Sequence, residues 1–211
     1  MTASERQLRT DAADALCSAA FAQAVEKAAL PADATGMALV AVGGYGRREL
    51  APHSDLDVVL VHTPGAQVAT VAEAVWYPMW DAGAVVDHAV RALPDVTEAA
   101  KQDVRVALGL LDARHLAGDP SLTLRLRSAI LAQWRRDARS RLPELRDIVH
   151  RRTERLGELA HASVPDLKES GGGLRDATLL HALVATWLVD VAHADLERSR
   201  RQLLDLSLIH I

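Results

Sequence analysis

The sequence predicts an α/β (α+β) fold: a small sheet-bearing segment followed by a helical part. Three observations carry this. Short apolar runs of strand length recur between residues 36 and 93, each closed by Gly or Pro. Between them lies a longer Ala-rich stretch with helical spacing. After Pro94 the strand-like runs stop and helical spacing takes over.

Residues 3–29 are Ala-rich and free of breakers up to Pro31, which predicts a helix. "GMALVAV" is an apolar run ending at Gly43-Gly44 and reads as a buried strand. "YGRREL" reads as a short helix or turn stopped by Pro52, and "DLDVVLVH" as a second strand bounded by Thr63-Pro64-Gly65. Residues 66–83 read as one helix bent at Pro78. "AVVDHAVRAL" alternates roughly, as a third strand does. Segments 95–116, 120–139 and 141–160 read as helices, with Gly118-Asp119-Pro120 and Pro143 as punctuation. The loop "HASVPDLKESGGG" leads into a further helix near Leu174. The expected organisation is an N-terminal helix (1–30), a core (31–93), a helical domain (94–205) and an apolar end (206–211). That end, within "LLDLSLIHI", suggests truncation or an artefact.

The 211 residues are 49% apolar with few aromatics, so Ala and Leu carry most of the core. A net charge of −4 gives no electrostatic case for nucleic-acid binding. The single cysteine, Cys17, excludes a disulfide framework and fits a reducing compartment. The first residues mix acids and arginines without an apolar secretory core, and no run is long enough to span a bilayer. A cytoplasmic protein with no membrane partner is the expectation.

Within the second strand, Asp55 and Asp57 fall on one face while Leu56 and Val58 fall on the other. Neighbouring carboxylates on one face repel. Mg²⁺ removes that conflict, since it takes hard oxygen ligands, often one or two carboxylates plus substrate phosphates. An isolated D-x-D more often marks an exposed strand start with Asp55 as a cap or turn residue. Here, however, Gly43-Gly44 stands about ten residues upstream, where a backbone free of Cβ can approach phosphate oxygens. A phosphate cradle followed by carboxylates is what phosphoryl or nucleotidyl transfer needs. The segment is not a dinucleotide-binding fingerprint, because the third glycine is missing, and no Gly-Lys-Ser/Thr follows to make a P-loop.

The stretch "GGYGRRELAPHSDLD" resembles the first motif of the bifunctional uridylyltransferase/uridylyl-removing enzymes that act on the PII nitrogen signal protein. "WDAGAVVDHAVRAL" and "DLKESGGGLRDATLL" are similar to two further motifs of that family, in the same order, over about residues 38–180. The resemblance implies a small mixed-sheet core of the DNA polymerase beta-like nucleotidyltransferase superfamily followed by a helical domain. By resemblance, Gly43 and Gly44 hold the nucleotide's triphosphate, and Asp55 and Asp57 bind Mg²⁺. Asp87 is the choice for a third catalytic carboxylate; some relatives place an acid two positions earlier, where this chain has Val85. His88 would face away from Asp87 and be structural. Arg47, Arg48 and Glu49 either steer phosphate or pair on the surface, and Arg48 stands where the family commonly has Gly. In the Gly-rich loop, Lys168 and Arg175 either touch phosphates or belong to a tight turn in which Arg175 and Asp176 pair structurally. The remaining histidines show no metal spacing.

The activity implied is Mg²⁺-dependent transfer of UMP from UTP to a tyrosine of PII, with release of pyrophosphate. ATP as donor, or a non-catalytic PII-binding module, are the alternatives. The family's phosphohydrolase and glutamine-sensing domains do not fit within 211 residues.

Overall fold

The computed structural model describes residues 3–207. In chain order the elements are α1 (Ala3–Lys27), β1 (Met37–Ala41), α2 (Gly43–Gly46), β2 (Leu56–His62), α3 (Ala69–Ala74), α4 (Tyr77–Asp81) and β3 (Val86–Ala92). There follow α5 (Leu93–Gln102), α6 (Val104–Leu111), β4 (Arg114–Gly118), α7 (Pro120–Leu156), α8 (Leu174–Ala185) and α9 (His193–Ser207). The chain forms two compact units, one of residues Ser4–Ile130 and the other built mainly from Leu131 onward. The mixed α/β character with a helical C-terminal region agrees with the fold expected. Of the apolar end, residues 208–211 lie outside the described residues.

In the first unit the four strands form a mixed sheet in the order β3-β2-β1-β4. β1 runs antiparallel to β2 and β4, and β2 runs parallel to β3. β1 reads Met-Ala-Leu-Val-Ala without alternation because both of its faces are covered. On one face Leu39 and Ala41, with Leu56, Val58 and Leu60 of β2, pack against Cys17, Ala20, Phe21 and Ala24 of α1 and against Val71, Val75 and Met79 of the α3–α4 region. Ala38, Val40 and Val61, on the opposite face, are buried as well. Each buried Val or Leu side chain of this kind contributes about 1.5–3 kcal/mol.

Four elements differ from the sequence expectation, one of them the helix expected over 95–116, which is divided into α5 and α6 at Asp103, the extended cap residue of α6. Residues 114–118 are a strand, not the end of a helix: "RHLAG" is short and carries Arg, His and Gly, so it has no apolar alternation. What makes it a strand is the open edge of buried β1, whose backbone groups need partners. Gly118, with φ +84°, lets this edge close, because a Cβ there would strike Met37 O and crowd the Phe21 ring. The expected helix over 66–83 is two short helices, and Pro78 sits in the first turn of α4, where its missing N–H costs nothing. Pro143, expected to punctuate, lies inside α7. Trp134, Ala138, Arg141 and Leu145 are buried at helical spacing on both sides of it, and that packing carries the helix through. In the same unit Trp134 Nε1 donates to Ala182 O at 2.8 Å, fixing α8 to this stripe.

Asp119 joins the end of the sheet to the start of α7. Its carboxylate accepts from the amides of Gly36 (3.1 Å), Ser121 (2.9 Å) and Leu122 (3.3 Å). These bonds, that from Gly36 first, hold its carboxyl below the ordinary value of 3.8. A carboxyl depressed on folding stabilises above its ordinary pKa, and that stability is lost as pH falls through the folded value. Asp119→Ala is expected to lower stability by about 1 kcal/mol at pH 7. Urea titrations repeated downward from pH 5 will show a shallower acid loss for the variant than for the wild type.

Candidate active site

The site begins where β2 and β3 start side by side. Their parallel register pairs Leu56 with Val86, Asp57 with Asp87 and Val58 with His88. Residues paired in this way share a face, so Asp57 and Asp87 stand on neighbouring strands about 4.8 Å apart in the sheet. They project opposite to the α1 core, to which Leu56 and Val58 contribute. Asp55, immediately before β2, is exposed, as is Asp87; Asp57 is half-buried. Leu56 N donates to Val85 O at 2.8 Å, which ties the two strand starts together.

Gly43 closes the site from the β1 side. Its φ of +55° turns the chain out of β1, and a Cβ on it would lie 3.3 Å from Asp57 Oδ2. The backbone of the glycine turn therefore abuts the Asp57 carboxylate. Val42 N donates to Asp57 O at 3.0 Å, fixing the same approach. At Gly44 a Cβ would meet nothing within 4 Å, so the backbone there faces open space. The first amides of a helical turn have no partner within it, which suits this opening to an anionic group.

Around the turn the side chains are structural. Tyr45 is fully buried and its hydroxyl donates to Cys17 Sγ at 3.5 Å. Burial pushes both the phenol and the thiol upward, so neither supplies a nucleophile at neutral pH. Arg47 pairs with Glu49 at 2.8 Å and with Asp112. Burial opposes its charge, but Asp112 and then Glu49 outweigh that and hold the guanidinium above its usual value. Arg47 is thus committed to ion pairs. Arg48 reaches Asp11 at 3.3 Å and Asp14 at 3.7 Å and has φ +63°. That left-handed backbone is the physical reason for a glycine preference at this position. His88, an exposed residue, points to the side of β3 opposite Asp87, its ring 4.5 Å from Trp76 and 5.6 Å from Trp80.

The carboxylates offer the hard oxygen chemistry that suits Mg²⁺, and two like charges held side by side gain from a cation between them. Among the described residues no three His, Cys, Asp or Glu side chains converge on one point. Mg²⁺ commonly takes one or two carboxylates and completes its shell with phosphates and water, and the Asp57–Asp87 pair is of that chemical kind.

Lys168 and Arg175 belong to the other compact unit. There the Gly-rich loop is internally satisfied. Asp166 accepts from the amides of Lys168 and Glu169, and Asp176 accepts from Gly172 N at 2.6 Å and pairs with Arg152. The amides of Ser170, Gly171 and residues 173–177 all donate to backbone carbonyls. Arg175 pairs with Glu169 at 3.0 Å, and Lys168 is exposed. Every backbone amide from Lys168 to Ala177 thus donates to an acceptor within this unit. Sequence reasoning missed Asp14, Asp112 and Arg114, which surround the glycine turn. They lie far from it in sequence, and no motif marks them.

Residues 2–83 match the family described as "Putative nucleotidyltransferase DUF294". Over that span the chain is similar to nucleotidyltransferases. It is 55% identical over 174 residues to the bifunctional uridylyltransferase/uridylyl-removing enzyme of Streptomyces coelicolor, covering 82% of this chain and 21% of that protein. The enzymes of the same name from Mycobacterium tuberculosis and Corynebacterium glutamicum are 46% and 38% identical over 170 and 177 residues. They align with 78% and 83% of this chain, and with 21% and 25% of their own length. The chain thus spans about a fifth to a quarter of the relatives it matches. Among the described residues no helix is long and apolar enough to cross a membrane.

Two substitutions in the glycine turn are expected to move stability in opposite directions. Gly43→Ala forces a Cβ into a left-handed residue beside Asp57 and will cost about 1–2 kcal/mol. Arg48→Gly relieves the same backbone conformation, while losing exposed ion pairs of little worth, and will gain about 0.5 kcal/mol. Urea unfolding of both variants against wild type measures the difference.

Proposed function

We propose that this nucleotidyltransferase domain transfers UMP from UTP to a tyrosine hydroxyl of a PII signal protein, with Mg²⁺ held by Asp57 and Asp87; Asp55, expected as a further ligand, is not brought to one point with them. The observation that supports this best is the in-register Asp57–Asp87 pair beside the Cβ-free backbone of Gly43. Identity to the uridylyltransferase/uridylyl-removing enzymes over most of the chain supports the donor and the protein acceptor.

In this reading the open backbone at Gly43-Gly44 binds the triphosphate and orients its α-phosphorus toward the carboxylates. Magnesium, when bound, neutralises charge on the phosphates and lowers the pKa of the attacking hydroxyl. The tyrosine oxygen forms a bond to the α-phosphorus, the α–β bridging P–O bond breaks, and pyrophosphate leaves. The hydroxyl proton passes to a carboxylate of the set, for which we assign Asp87, exposed at the sheet edge. Most of the catalysis rests on positioning and charge, because the protein forms no covalent bond to the transferred group. The motifs position a triphosphate and do not name the base, so ATP is the alternative donor.

The test is to incubate the chain with PII, Mg²⁺ and labelled UTP or ATP in parallel. Label from UTP should appear on PII and should fall by roughly a hundredfold or more in Asp57→Ala. Label from ATP alone would change the donor, and no label with either nucleotide from a folded sample would favour a non-catalytic binding module.

A further inference from the structure

Resting on the reading above, we infer that Arg114 and Asp14 form a positioning clamp that sets the glycine turn for the nucleotide's triphosphate. Arg114 lies at the start of β4, and Asp14 lies mid-way along α1. The two are joined by a bidentate pair, Nη1 to Oδ2 at 2.7 Å and Nη2 to Oδ1 at 2.9 Å. Both side chains are only about a fifth exposed, at 20% and 21%. The same guanidinium donates through Nε to Gly46 O and through Nη2 to Tyr45 O, each at 3.2 Å. It also stands 5.3 Å from the centre of the Tyr45 ring. One planar group thus reads a carboxylate on α1 and two consecutive carbonyls of the turn, a task for which lysine has no matching fork.

The clamp has a second support. Gly46 lies so close to Asp112 O that a Cβ would collide with it, and Asp112 also pairs with Arg47. The far end of the turn is therefore held by side chains from α1 and by the α6–β4 connection. Its near end, Gly43-Gly44, is left bare toward Asp57 and open space. Fixing the carbonyls of Tyr45 and Gly46 fixes the Tyr45–Gly46 and Gly46–Arg47 peptide planes. The amides in those planes donate to Val42 O at 2.9 Å and Gly43 O at 3.1 Å, which carries the restraint back to the start of the turn at Gly43-Gly44. Arg114 never touches the substrate in this account; it acts through the turn.

The test compares wild type, Arg114→Lys, Asp14→Asn and a control, Val61→Ala, which opens a cavity in β2 away from the turn. Each is assayed for fold by circular dichroism, for Tm, and for KM and kcat toward the nucleotide that wild type uses. We expect Arg114→Lys to raise the nucleotide KM about tenfold, the loss of one charge-assisted contact's worth of orientation, with kcat changed less. Asp14→Asn should move KM the same way by a smaller factor. Val61→Ala should lower Tm while leaving KM within about twofold, which separates positioning from mere destabilisation. An unchanged KM in folded Arg114→Lys, or an equal rise in Val61→Ala, overturns the clamp while leaving the proposed function intact. A wild type that neither binds nor uses a nucleoside triphosphate overturns both, and that outcome is visible before any variant is examined.

Discussion

Like charges brought together by backbone hydrogen bonding are the constraint on which this domain turns. The parallel ladder between β2 and β3 fixes Asp57 opposite Asp87, and nothing in the side chains would choose that pairing for stability. It persists because the other face of β2 is apolar and buried: a slip of one residue would turn Leu56, Val58 and Leu60 to the acid face. The core thereby sets two carboxylates on neighbouring strands, an arrangement dictated by the buried face and not by the acids themselves. Stability and site geometry are two faces of one strand, separated by the alternation of side chains.

The glycine turn shows a related division. Its interior half is over-determined by Tyr45 in the core, by Gly46 against a carbonyl, and by guanidinium groups bonded to backbone and carboxylates. Its outer half carries no side chain at all. Rigidity behind and bareness in front leave a preordered backbone at Gly43-Gly44, which under the proposed function would bind phosphate without an ordering cost. Arg48, in a left-handed conformation, marks where this chain has accepted some strain in place of glycine.

Much of this was legible in the linear sequence. Apolar runs and their glycine and proline boundaries located β1, β2 and β3, and the one-residue spacing of Asp55 and Asp57 predicted a shared face. Asp87 was readable because alternation in "VVDHAV" separates it from His88, and the pairing with β2 then set it beside Asp57. β4 was not legible. Five residues with an arginine, a histidine and a glycine carry no strand signal, and only the unfilled edge of β1 makes them one. Arg114 and Asp14 were hidden for the same reason, since their meeting depends on a contact across 100 residues of chain. Pro143 misled in the opposite sense: local propensity says stop, while a buried stripe on both sides says continue.

The position of β3 has a further implication. Among the described residues it pairs only with β2, so one row of its amides and carbonyls faces outward along a largely exposed strand. Such edges invite self-association, and charged side chains are a common deterrent. Asp87 and Arg91 supply opposite charges along this strand. The side chain we assign to chemistry therefore also guards against aggregation. Replacing it with a neutral residue removes the proposed proton acceptor and one of the two edge charges together, and the colloidal behaviour of such a variant belongs beside its turnover when either is interpreted.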